Sequence, residues 1–143
     1  MSRKPLIIDC HGHYTTAPQA LADWRDKQVA GIKNPAAKPR VSDLRISDDE
    51  LRESIQTNQL RLMRERGSDL TIFSPRASFM AHHIGDFEVS STWAAICNEL
   101  CHRVAQLFPD SFATAAMLPQ SPGVDPATCI PELEKCVEQY GAV

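Results

Sequence analysis

Five consecutive residues near the amino terminus, Asp9-Cys10-His11-Gly12-His13, hold the densest chemistry in this 143-residue chain. They follow the apolar run Leu6-Ile7-Ile8, which suits a strand buried on both faces. Along a strand, residues two apart point to the same side, so His11 and His13 are expected to converge on one point. Neutral imidazole nitrogen is the commonest ligand for zinc and related divalent ions, which makes the pair candidate metal ligands. Gly12 lets the backbone bend closely around that point. Asp9, on the same side and deeper, is a candidate to orient a ligand from behind. The plainer alternative is two histidines at a strand exit, solvated or bonded to backbone. A zinc site also takes at least three protein ligands, so the pair does not complete one.

A second cluster is Phe73-Ser74-Pro75-Arg76-Ala77-Ser78-Phe79. An arginine on a loop after a strand can hold a carboxylate in bidentate fashion, with hydroxyls of Ser74 or Ser78 adding hydrogen bonds. An ordinary surface arginine is the competing reading of Arg76. His82 and His83 follow in the same loop, and adjacent residues point apart, so the two are not expected to share one ion. His83 is the candidate for contact with substrate or for proton transfer, against a plain loop histidine. Asn98, inside a helix near its buried face, is expected to satisfy a nearby loop carbonyl. The sequence holds no Gly-rich phosphate loop, nucleophile elbow or nicotinamide fingerprint.

Five cysteines, Cys10, Cys97, Cys101, Cys129 and Cys136, form no CxxC pair and read as thiols. Cys97, Cys101 and His102 have a spacing that suggests a zinc cluster. Free cysteine behaves as a small buried hydrophobe, however, and these two fit the core face of a helix.

The elements that position these residues can be read from pattern. A helix is expected from about Pro18, and residues 31–46 form a surface excursion. Ser47 and Glu50 make a capping box for a helix with Leu51, Ile55 and Leu62 along one face and Met63 beside it. Gly67 is placed to end it, and a strand follows over Leu70–Ser74. The next helix is expected from near Ser91 to Leu107, a third strand over Phe112–Met117, and an amphipathic helix through Ile130, Leu133, Val137 and Tyr140. Gly141-Ala142-Val143 reads as the opening of a fourth strand.

Strands alternating with helices imply βαβ units and a parallel α/β sheet. The expectation is the N-terminal part of a (β/α)₈ TIM-like barrel, residues 1–143 being one incomplete domain truncated at the start of the fourth strand. Made alone, such a chain is expected to be inactive and poorly soluble. A small complete α/β domain with an open sheet, acting as a binding module, is the alternative.

A net charge of -3 and 43% hydrophobic residues describe an ordinary globular composition. Acidic and basic residues are interspersed, which argues against nucleic acid as a partner. No apolar run approaches the roughly 18 residues of a membrane span, and no secretory leader is evident, so a cytoplasmic setting is expected.

The segment IIDCHGHYTTAP resembles the opening of the amidohydrolase superfamily, in the branch containing metal-dependent decarboxylases and hydratases. The segments SDLTIFSPRASFMAHHIGDF, VSSTWAAICNELCHRVAQLFPDSF and AAMLPQSPGVDPATCIPELEKCVEQYG are similar to the superfamily's hydratases of protocatechuate 4,5-cleavage. The resemblance runs from Ile7 to Val143. It implies a zinc-dependent hydro-lyase adding water to a carbon–carbon double bond of a tricarboxylic keto acid, with His11 and His13 as metal ligands. It also implies that the remaining ligands and the general base lie beyond Val143. The implied partner is a small polycarboxylate substrate, with Arg76, Ser74 and His83 on the binding side. Whether the full-length form is a homo-oligomer is left open. A decarboxylase of the same superfamily is the rival activity.

Overall fold

The computed structural model describes residues 5–76 and 80–143. Three strands, β1 (Ile8–His13), β2 (Leu70–Ser74) and β3 (Phe112–Thr114), form one parallel sheet in the order β1-β2-β3. Helix α1 (Gln19–Lys33) lies between β1 and β2, followed by α2 (Asp48–Ser54), a π-helical turn (Ile55–Gln59) and α3 (Leu60–Arg66). Helix α4 (Phe87–Leu107) joins β2 to β3, and α5 (Ile130–Tyr140) follows β3. The expected α/β alternation is therefore present. Because the strands run parallel, the loops after all three leave from the same edge of the sheet, where enzymes of this architecture place their sites.

Local chemistry accounts for most boundaries. Ser47 opens α2 as expected: its Oγ accepts from Glu50 N at 3.2 Å, and Glu50 Oε2 accepts from Ser47 N at 2.8 Å. Gly67 closes α3 with φ 73°, a conformation that costs a residue with a Cβ. Helix α4 begins at Phe87 rather than near Ser91, because Asp86 accepts from Val89 N at 3.0 Å and caps it there. The excursion before α2 forms two short 3₁₀ turns, Pro35–Ala37 and Val41–Asp43, and Trp24 Nε1 donates to Arg40 O at 2.9 Å to hold it down.

The core lies between the sheet and the helices, where Leu51, Ile55, Phe73, Trp93 and Val104 are fully enclosed. Burying one such side chain contributes about 1.5–3 kcal/mol, so this row anchors the sheet to its crossovers. Cys97 and Cys101 belong to it, and burial pushes both thiols well up from their ordinary value, in keeping with a packing role. The row along α2 and α3 departs from expectation. Leu60 and Met63 are buried and Leu62 only half so, because the π turn inserts one residue and rotates everything after it.

Two strands also differ from the sequence reading. β1 runs through both histidines, and its first residue Ile8, with Leu6 and Ile7 before it, is exposed, at 47%, 67% and 47% respectively. Among the described residues β1 pairs only with β2, so its apolar start is not covered on both faces. β3 ends at Thr114 instead of Met117: Ala115 N still reaches Phe73 O at 2.9 Å, but Met117 is held by Asn98. The Asn98 carboxamide accepts from Met117 N at 2.8 Å and donates to Met117 O at 2.9 Å, the backbone role expected of it. Residues 141–143 form no strand, although Val143 N donates to Thr114 O at 2.9 Å beside β3.

Candidate active site

The first two strands fall out of step where the chemistry begins. Asp9 pairs with Thr71, and the next partners are Gly12 with Phe73, so Cys10 and His11 together stand against Ile72 alone. This is a β-bulge, which bends a strand and re-aims its side chains. Asp9 Oδ1 accepts from the His11 backbone N at 3.0 Å, satisfying a donor turned out of the ladder. Asp9 thus bonds to the backbone of His11 rather than to an imidazole. Gly12 has no room for a side chain: a Cβ there would stand 2.1 Å from Thr71 Cγ2 and 3.1 Å from Ile72 O.

The bulge brings the two imidazoles together, as their spacing predicted. Their Nε2 atoms are 3.1 Å apart, with ring centroids 4.7 Å apart and planes at 87°. The other nitrogen of His13 decides what that meeting means. Ser74 Oγ gives its proton to Gly12 O at 3.0 Å, so toward His13 Nδ1, 2.7 Å away, it acts as an acceptor. Pro75 O, 3.1 Å from the same Nδ1, accepts only. His13 therefore carries its proton on Nδ1 and presents a bare Nε2 toward His11. A second partner on the far nitrogen is how metal-binding histidines are oriented.

These residues fit a divalent ion. Two imidazole nitrogens about 2.05 Å from one tetrahedral zinc stand roughly 3.3 Å apart, close to the separation found. Among the described residues no third His, Cys, Asp or Glu joins the pair.

The remaining candidates are distributed over the same edge of the sheet. Ser74 commits its hydroxyl to Gly12 O and His13. Arg76 is exposed and follows directly on Pro75, whose carbonyl reaches His13. Ser78 lies outside the described residues. His83 is exposed and lines, with His82, Gln120 and Ser121, an open hollow of about 600 Å³ between the loops after β2 and β3. The structure thus brings together His11, His13 and Ser74, with Arg76 next along the chain and His83 in a neighbouring hollow.

Two groups escaped the sequence reading. One is the Pro75 carbonyl, which no residue type could announce. The other is Gln59, whose Nε2 donates to His13 O at 3.4 Å and to Thr15 Oγ1 at 3.3 Å, while its Oε1 accepts from Thr16 Oγ1 at 2.5 Å. Beside it Ser54 Oγ donates to Leu51 O at 2.9 Å, so the Tyr14 phenol donates to Ser54 Oγ at 2.7 Å. Burial pushes that phenol up to about 12, which keeps its proton in place.

Residues 8–143 match the amidohydrolase family. Over 138 residues the chain is 54% identical to the 2-keto-4-carboxy-3-hexenedioate hydratase of Sphingobium sp. strain SYK-6, covering 96% of this chain and 40% of that protein. The crystal structure of 4-oxalomesaconate hydratase from Rhodopseudomonas palustris superposes with a TM-score of 0.91 at 72% identity, over 96% of this chain and 40% of that one. A dihydroxybenzoic acid decarboxylase from Polaromonas sp. JS666, with bound manganese and 2-nitroresorcinol, gives a TM-score of 0.62 at 25% identity, over 98% and 37%. The chain thus spans about two fifths of the length of these relatives.

Proposed function

The chain belongs to the amidohydrolase family, and on that premise we propose that its activity is that of a 4-oxalomesaconate hydratase. In this reaction water adds across a carbon–carbon double bond of a tricarboxylic keto acid, hydroxyl to one carbon and hydrogen to the other. The product is 4-carboxy-4-hydroxy-2-oxoadipate. The observation that carries the reading is the meeting of His11 and His13 with the proton of His13 held on Nδ1, in a chain 72% identical to a solved hydratase. The relatives with decarboxylase names are far more distant, at 25% identity for the one bearing manganese.

His11 and His13 are the residues that would hold a divalent ion, read here as zinc, through their Nε2 atoms. Such an ion supplies Lewis-acid polarisation of a bound oxygen. Ser74 and Pro75 keep the His13 ring in the tautomer that binds, so we read Ser74 as acting on His13 rather than on substrate. Asp9 supports the same ring pair indirectly, through the backbone of His11. Arg76, exposed beyond Pro75, is placed to neutralise and orient a carboxylate of the substrate, and His83 is a further donor on the same loop. The base that takes a proton from water is assigned to none of these groups.

The test is direct. A purified full-length homologue that carries these residues is loaded with zinc and offered 4-oxalomesaconate, while ultraviolet absorbance of the conjugated double bond and release of carbon dioxide are followed together. Loss of the double bond without carbon dioxide is the expected result. Carbon dioxide release would transfer the assignment to a decarboxylase.

A further inference from the structure

We propose that Gln59 is a positioning residue for the metal ligand His13, and that the π-helical turn Ile55–Gln59 is the device that delivers it. The proposal rests on the reading of His11 and His13 as metal ligands.

In an uninterrupted α-helix, Leu51, Ile55 and Gln59 would lie four apart in one row, and Leu51 and Ile55 are completely buried in the core. Continued regularly, that row would carry the Gln59 carboxamide into apolar packing. The π turn prevents this. Leu60 N bonds to Ile55 O, five residues back, and Leu60 enters the core in place of Gln59. Gln59 is left beside the row, where it reaches the backbone leaving β1. It lines a hollow of about 240 Å³ together with His11, Gly12 and His13.

Widening the helix also releases backbone acceptors, and the first of them is used at the same place. Ser54 O accepts from Thr16 Oγ1 at 3.1 Å and from Asn58 Nδ2 at 3.1 Å. Three side chains of the turn after β1 are therefore tied to the π turn or to Ser54, the residue just before it: Tyr14 to Ser54, Thr15 to Gln59, and Thr16 to both. Of these ties only the Gln59 amide also reaches the peptide carbonyl of His13 itself. From the opposite side Ser74 and Pro75 hold the His13 ring. The ring is thus fixed at Nδ1, and the carbonyl of the backbone it hangs from is held by Thr15 N at 2.8 Å and, from the π turn, by Gln59 at 3.4 Å. A π turn costs helix regularity, and such turns cluster at functional sites. Here it exchanges a buried glutamine for a clamp on a ligand.

In a full-length protein carrying these residues, the experiment compares zinc affinity, by competition with a chromogenic chelator, and the metal-free melting temperature for the wild type, Gln59→Met, Gln59→Glu, Thr16→Val and His13→Ala. Methionine matches the length of glutamine and makes none of its bonds. Expected is a loss of about tenfold or more in zinc affinity for Gln59→Met, the size usual for groups behind a metal ligand. The metal-free melting temperature should shift by only a few degrees. Gln59→Glu keeps the acceptor for Thr16 and should recover part of the affinity, and Thr16→Val should lose a smaller factor than Gln59→Met. Wild-type zinc affinity in Gln59→Met, with His13→Ala abolishing binding, would overturn the role of Gln59 while leaving the metal reading intact. Unchanged affinity in His13→Ala would overturn the metal reading itself.

Discussion

Gly12 and Thr71 face each other across β1 and β2 so closely that a methyl group on Gly12 would stand 2.1 Å from Thr71 Cγ2. The strands lie close together just after the bulge at Cys10 and His11, and any residue larger than glycine at position 12 must push them apart. Gly12→Ala should therefore destabilise the protein by about 2 kcal/mol, the usual size of an overpacking strain. Thr71→Ser removes the clashing carbon and should restore much of the loss in the double variant. Denaturant unfolding of the four proteins measures this, and strictly additive losses would show that the two residues do not collide.

How far the sequence discloses this arrangement depends on which physics is local. The capping box at Ser47, the stop at Gly67 and the convergence of His11 and His13 follow from residue types and short spacings, and all are present. The π turn was not legible, because its stabilising partners Tyr14, Thr15 and Thr16 lie about forty residues away in sequence and their bonds exist only once β1 packs beside α2. The bulge was hidden for the same reason: it is a relation between two strands. Ser74 was read toward substrate because its position at a strand end allows that, whereas its neighbours Gly12 and His13 come from β1.

Tyr14 predicts a pH dependence at the alkaline end. The folded phenol holds its proton up to about 12, against an ordinary value of 10.0, because burial penalises the phenolate. Its contribution is thus complete below pH 10 and is lost as pH rises from 10 toward 12, because the unfolded chain releases the proton first. Over that window the wild type should lose about 2 kcal/mol more than Tyr14→Phe. Cys97 and Cys101 add an alkaline loss of their own, which both proteins share. Parallel curves for the two proteins between pH 10 and 12 would rule out this role for Tyr14.

Arg76 follows Pro75 and is exposed on the loop after β2. If it holds a substrate carboxylate, Arg76→Met in a full-length enzyme should lower kcat/KM for hydration at least tenfold, about 1.4 kcal/mol of transition-state stabilisation. Zinc affinity should be unchanged, which separates substrate binding from damage to the histidine pair. Kinetics equal to wild type would leave Arg76 as a surface residue.

Ser74 supplies the sharpest test of the histidine pair, because its two bonds do different things. The proton it donates to Gly12 O ties β2 to the bulge, and the lone pair it offers to His13 Nδ1 selects the tautomer. Ser74→Ala removes both but leaves Pro75 O, 3.1 Å from the same nitrogen, as the remaining acceptor. The proton should therefore stay on Nδ1 for much of the time, and zinc affinity should fall toward the lower end of the usual range, about tenfold. Ser74→Thr keeps the hydroxyl and should bind zinc nearly as well as the wild type. Imidazole ¹⁵N shifts of the metal-free protein report the tautomer independently of activity: the wild type should show one protonated Nδ1 for His13, and the alanine variant a mixture. A Ser74→Ala protein that keeps its zinc affinity and tautomer but shows a raised KM would return Ser74 to the substrate. The orientation of His13 would then belong to Pro75 and the bulge alone.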